Sequence, residues 1–100
     1  MAESSNYLKK IETMSEFIKA LANPIRLKIA LTLLQKDDCD VNSMVDSLEI
    51  SQPGVSQHLN VLKRAKVVKV ETRGSQRCYS IKDENTKALI LKLFAFNAQA

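Results

Sequence analysis

Residues 51–65 read SQPGVSQHLNVLKRA, and the way these letters divide around a helix decides the fold. Val55, Leu59 and Leu62 recur at i, i+4 and i+7, the spacing that stacks side chains along one stripe of a 3.6-residue helix. That stripe has to be buried. About half a turn away fall Gln57, Asn60 and Arg64, flanked by Gln52, Ser56 and Lys63; all can hydrogen-bond and none is acidic. An ordinary amphipathic surface helix mixes Glu or Asp into its wet face, so this one suits a polyanionic groove. Ser51 is placed to cap the first turn. Pro53 is tolerated there because first-turn N–H groups have no partner within the helix.

On the N-terminal side of this stretch, Val41, Met44, Val45 and Leu48 mark a short helix, and Glu49–Ile50 leaves room only for a tight connection. Residues 41–65 are thus expected to form a helix-turn-helix, whose second helix enters a DNA major groove. On the C-terminal side, from Val67, the period changes. VVKVETRGSQRCYSI alternates, with β-branched and aromatic letters on either side of Arg73-Gly74-Ser75-Gln76, the pattern of a β-hairpin with a glycine in its turn. Val68, Val70, Tyr79 and Ile81 are expected to face the helices, leaving Lys69, Glu71, Cys78 and Ser80 on the wetter side. A hairpin over 67–81 makes a wing. Arg73 and Arg77 flank its tip, where they could reach the DNA backbone or the minor groove.

Three further helices frame this unit. Tyr7, Leu8, Ile11, Met14, Phe17, Ile18 and Leu21 predict a long amphipathic helix over 4–22. Asn23-Pro24 interrupts it, and Pro24 begins a helix over 24–35 that is apolar on most sides and therefore central. The last helix, 83–97, has Asp83 as a candidate N-cap and spreads Leu89, Ile90, Leu93, Phe94 and Phe96 over more than one face. That is more apolar width than one small core needs. The expected architecture is mainly α with a small β-hairpin: one winged helix-turn-helix domain over 1–100, forming a homodimer through the first and last helices.

Composition sets the outer bounds. One hundred residues, 45% of them apolar, supply one core and not two. The formal charge of +4 favours an anionic partner. No apolar run is long enough to cross a bilayer, and MAESSNYLKK lacks the apolar centre of a secretory signal, so the expected location is the cytoplasm. No nucleophile–base pair, carboxylate pair in an apolar setting or glycine-rich phosphate loop is evident. An enzyme is not expected, and neither is a cofactor.

ALANPIRLKIALTLL, SQPGVSQHLNVLKRAKVV and ETRGSQRCYSI together resemble the ArsR/SmtB family of bacterial winged-helix repressors over roughly residues 15–82. The resemblance implies a homodimer that binds an inverted-repeat operator in double-stranded DNA and represses transcription until an inducer lowers its affinity. It also implies that Gln52, Ser56, Gln57 and His58 lie where the family contacts DNA, and that the Arg73–Arg77 tip is the wing. The helical wheel agrees on Gln52, Ser56 and Gln57. His58, on the flank of the buried stripe, is open to two readings, a packed histidine or a phosphate contact.

The family's inducer sites are poorly matched. Aligned on Val41, its cysteine box Leu-Cys-Val-Cys-Asp falls on Cys39-Asp40-Val41-Asn42-Ser43, so Asp40 and Asn42 occupy the cysteine positions and Cys39 is displaced by one. The other family site uses Asp and His on the last helix, where this chain has Asp83 and Glu84 and no histidine. No metal ligand set is therefore assigned. If residues before 41 join the wing sheet beside its second strand, Cys39 and Cys78 approach each other and become candidates for a disulfide or polysulfide bridge. Lys69, Arg73 and Arg77 would favour a thiolate at Cys78, and Asp37, Asp38 and Asp40 would oppose one at Cys39. The alternatives are a metal-responsive or ligand-independent repressor, unreactive cysteines, and a protein-interaction module on a winged-helix scaffold.

Overall fold

The computed structural model describes residues 2–36 and 39–98, with side chains described for 5–36 and 40–96. In chain order the elements are α1 (Ala2–Leu21), α2 (Pro24–Gln35), β1 (Cys39–Asp40), α3 (Val41–Leu48), α4 (Gln52–Arg64), β2 (Val68–Arg73), β3 (Gln76–Ile81) and α5 (Glu84–Ala98). The strands form one antiparallel sheet in the order β1-β3-β2. This is a winged helix-turn-helix, with α3 and α4 as the paired helices and the β2–β3 hairpin as the wing.

Local chemistry sets most boundaries. Asn23 Oδ1 accepts from the N–H groups of Ile25 and Arg26 at 2.9 and 3.1 Å, capping α2 just ahead of Pro24. Ser51 Oγ accepts from Gly54 N at 3.3 Å and starts α4. Asp40 caps α3 and Asp83 caps α5 in the same way, through Ser43 N at 2.7 Å and Thr86 N at 2.8 Å. The helix-turn-helix corner turns at Glu49, left-handed at φ 56°. At the end of α4, Lys66 is also left-handed at φ 62°, and Val67 N returns to Leu62 O at 2.9 Å, the six-to-one closure of a Schellman turn. Gly74 (φ 63°) takes the first position of the two-residue hairpin loop while Ser75 does not share the positive φ, the pattern of the II′ class.

The core lies where α2, α3, α4 and the sheet converge. Ile29, Ala30, Leu33, Met44, Val55, Leu59, Leu62 and Val67 are fully buried, with Val68, Tyr79, Ile81, Ala20, Leu21 and Ile90 nearly so. Burial at this level is worth about 1.5–3 kcal/mol for each large aliphatic side chain. The outer helices contribute little to it. Among the described residues of α1, Ala20 and Leu21 alone are buried, whereas Tyr7, Leu8, Ile11, Met14 and Ile18 are exposed. The radius of gyration, 14.7 Å, exceeds the roughly 13 Å of a compact chain this long, in keeping with the wide exposure of α1 and α5.

One expectation is corrected. Cys78, assigned above to the wetter side of the hairpin, is buried at 8% exposure. The reason is β1, which makes β3 the central strand and flanks Cys78 with Asp40 on one side and Glu71 on the other.

Candidate nucleic-acid interface

Three buried side chains fix the rotation of α4. With Val55, Leu59 and Leu62 at 0% exposure, the opposite side of the helix has to face solvent, and Gln52, Gln57, Asn60, Lys63 and Arg64 are all exposed. Ser56 and His58 are half-buried on the two flanks. The outer face carries no carboxylate, and Lys63 and Arg64 add positive charge to the last turn.

The two flanks differ. Toward the wing, Gln52, Ser56 and Asn60 line a cleft of about 280 Å³ shared with Asn42 of α3 and with Ser75, Gln76 and Arg77 of the hairpin. The cleft is polar and open, with hydrogen-bond donors on three sides, a shape and chemistry that suit a phosphodiester backbone. Its one carboxylate, Asp40, is engaged at both oxygens. Oδ1 accepts from Ser43 N, and Oδ2 accepts from Gln76 Nε2 at 3.3 Å, tying the wing to the start of α3. Hydrogen bonds from Ser43, its backbone N–H foremost, hold the Asp40 carboxyl below its ordinary range.

On the other flank His58 turns toward α2, where its Nδ1 lies 3.4 Å from Arg26 Nη1. On the hairpin, Arg73 pairs with Glu71 at 3.3 Å, both side chains more than half exposed. Exposed pairs of this kind hold their partners weakly. Arg77 is exposed at the cleft.

The cysteine pair separates into a topology that is seen and a register that works against a bridge. β1 does join β3, but Cys39 sits opposite Tyr79 and Cys78 opposite Asp40. The two cysteines are therefore one register position apart, and successive positions of a strand belong to opposite faces of the sheet. The cross-strand neighbours of Cys78 are the carboxylate residues Asp40 and Glu71, not the basic residues of the hairpin. Asp37 and Asp38 lie outside the described residues. Among the described residues, no three His, Cys, Asp or Glu side chains are grouped to hold a metal ion, and no helix is long and apolar enough to cross a membrane.

Asn42, Ser75 and Gln76 line the cleft, and Arg26 meets His58 on the opposite flank, although the sequence assigned none of them a role in binding. Asn42 and Gln76 enter the cleft because β1 pairs with β3, a contact between segments 36 residues apart. No local periodicity signals such a pairing.

Residues 23–70 match the arsR family of bacterial regulatory proteins. The HTH-type transcriptional repressor SmtB of Mycobacterium tuberculosis is 38% identical over 85% of this chain, which spans 62% of the length of SmtB. The transcriptional repressor PagR of Bacillus anthracis is 36% identical over 81% of this chain and 86% of its own length. The crystal structure of PagR superposes with a TM-score of 0.77, covering 86% of this chain and 98% of that one. The homodimeric winged helix-turn-helix DNA-binding domain from Mycobacterium bovis gives a TM-score of 0.87 at 23% identity, covering 92% of this chain and 84% of that one. Sequence and fold agree, and the chain belongs to the arsR family of bacterial regulatory proteins.

Proposed function

We propose that this protein is a cytoplasmic transcriptional repressor that binds a double-stranded operator as a homodimer, reading base edges with α4 and bracing on the phosphate backbone with the wing. Its action is binding rather than catalysis. The observation that carries the proposal is the outer face of α4: Gln52, Gln57, Asn60, Lys63 and Arg64 exposed together, with no acidic residue among them, on a helix whose back is locked in the core. Gln and Asn side chains offer the paired donor and acceptor that match adenine in the major groove, and Arg and Lys match guanine or phosphate. Ser56 and Arg77 would meet the backbone across the cleft, with Arg73 at the tip.

Dimerisation follows from what the monomer leaves uncovered. α1 exposes Tyr7, Leu8, Ile11, Met14 and Ile18, and α5 exposes Leu89, Leu91, Leu93, Phe94 and Phe96. Apolar surface on this scale calls for a partner. A second copy meeting it about a two-fold axis would present two α4 helices to half-sites one helical turn apart. The homodimeric state of the Mycobacterium bovis domain supports the same assembly.

The test is a DNA-binding titration on the segment upstream of the chain's own gene at several salt concentrations. Six to ten phosphate contacts by the dimer would lower the affinity roughly 10³–10⁵-fold between 50 and 200 mM salt. A flat salt response, with binding retained to a protein partner, would favour an interaction module instead.

A further inference from the structure

The guanidinium of Arg26 stands where three helices meet. Its Nε donates to Ala20 O at 2.5 Å, its Nη2 to Lys19 O at 3.5 Å, and its Nη1 lies 3.4 Å from His58 Nδ1. The two carbonyls belong to the last turn of α1, where a cation is favoured by the helix dipole; Lys19 O also accepts from Ala22 N at 3.2 Å, so Ala20 O is the acceptor that Arg26 serves most directly. His58 belongs to α4. Arg26 itself is half-buried near the start of α2, held there by the Asn23 cap that also takes its backbone N–H.

We infer that Arg26 is a positioning residue that locks the DNA-facing helix α4 to the carbonyl end of helix α1 through His58. The inference rests on the proposed role of α4 in reading DNA and adds the element that holds it at a fixed angle. Only a planar group with several N–H donors in fixed directions can satisfy acceptors on α1 while reaching a ring nitrogen on α4; a lysine ammonium, a single point of charge, cannot span them. The clamp also joins two surfaces of different purpose. α1 carries an exposed apolar face, α4 carries the polar reading face, and His58 lies on the flank of α4 turned away from the wing cleft. Movement of α1 in a dimer would therefore reach α4 through this side chain as well as through the direct contact of the two helices, on the side opposite the wing.

The test compares Arg26→Met, Arg26→Lys and His58→Leu by amide hydrogen exchange of the DNA-free protein, together with titrations on operator and random duplexes. Arg26→Met is expected to speed exchange about tenfold in both the last turn of α1 and the middle of α4, with no change in α5. Arg26→Lys is expected not to restore it. His58→Leu keeps the ring's packing volume in part and leaves the α1 carbonyls their donor, so exchange is expected to rise in α4 alone. The operator-to-random affinity ratio falls about tenfold in all three variants, as expected when a charged hydrogen bond that orients the reading helix is removed. Unchanged exchange in α4 for Arg26→Met, or full rescue by lysine, overturns the clamp. If the wild type shows no affinity for DNA, the repressor proposal fails, while the exchange results still decide whether Arg26 couples α1 to α4.

Discussion

α4 and α5 are helices of similar length, 13 and 15 residues, with opposite relations to the core. In α4 the core-facing residues Val55, Leu59 and Leu62 are fully covered by the chain's own α2, α3 and sheet, leaving a polar face outside. In α5 only Ile90 among the large apolar residues is buried, and Phe96 remains 80% exposed. An amphipathic helix finished within its own domain has a free face that can read a ligand. One that is apolar over more than one face leaves surface that, in the proposed dimer, a second copy would cover. The same short protein thus holds one helix whose free face is polar and one whose free face is apolar, the contrast on which the proposed DNA-reading and dimer-forming roles rest.

The largest effect should come from spoiling the unfinished helix. Leu93→Glu combined with Phe94→Glu puts charge into the exposed apolar face without touching the core. Sedimentation should show monomers, and operator affinity should fall roughly 10²–10⁴-fold as two tethered half-site contacts become one. A dimer that survives would remove α5 from the interface. Next comes the finished helix attacked from behind. Leu59→Ala opens a cavity at a fully buried position and should lower stability by about 2–5 kcal/mol in urea unfolding, with the dimer interface itself untouched.

A smaller effect is expected at the wing. Arg77→Ala should weaken binding to operator and random DNA alike and reduce the salt slope by about one unit for each phosphate that Arg77 neutralises, seen as a shallower log–log plot. An unchanged slope would take Arg77 off the DNA-facing surface. The smallest effect separates the helix caps. Asp83 is held below its ordinary value of 3.8 by the Thr86 hydroxyl first and the Thr86 backbone N–H next, and Asp40 is lowered mainly by Ser43 N–H. Carboxyls lowered on folding stabilise fully above their unfolded value and lose that contribution as pH falls through the lower folded one. Thermal unfolding should therefore drop below about pH 4, and Asp40→Asn with Asp83→Asn, which cap without titrating, should flatten that drop.

Where a feature depends on neighbours in sequence, the letters carry it. Asn23-Pro24, Ser51, the i, i+4, i+7 stripe of α4 and the alternation around Gly74 each specify structure within one or two turns of chain, and the winged helix-turn-helix follows from them. Features that depend on distant segments are absent from such patterns. Cys78 looks solvent-facing in an isolated hairpin and becomes buried once β1 pairs on its far side. The same pairing sets Cys39 one register off Cys78. Arg26 and His58 meet across 32 residues. Glu49 and Lys66 close their helices in left-handed conformations where glycine is the usual signal. The candidate site divides the same way: the outward face of α4 was readable from its wheel, but the cleft it shares with Asn42 and Gln76 needed the sheet.

The central claim is that the outer face of α4 reads base edges. Titrating the wild type and Gln57→Ala at one fixed salt, each on the operator and on a scrambled duplex, tests it most directly. The account predicts a loss of about 1–3 kcal/mol on the operator alone, with stability changed by no more than about 0.5 kcal/mol. Equal losses on both duplexes, or no loss on either, would contradict it.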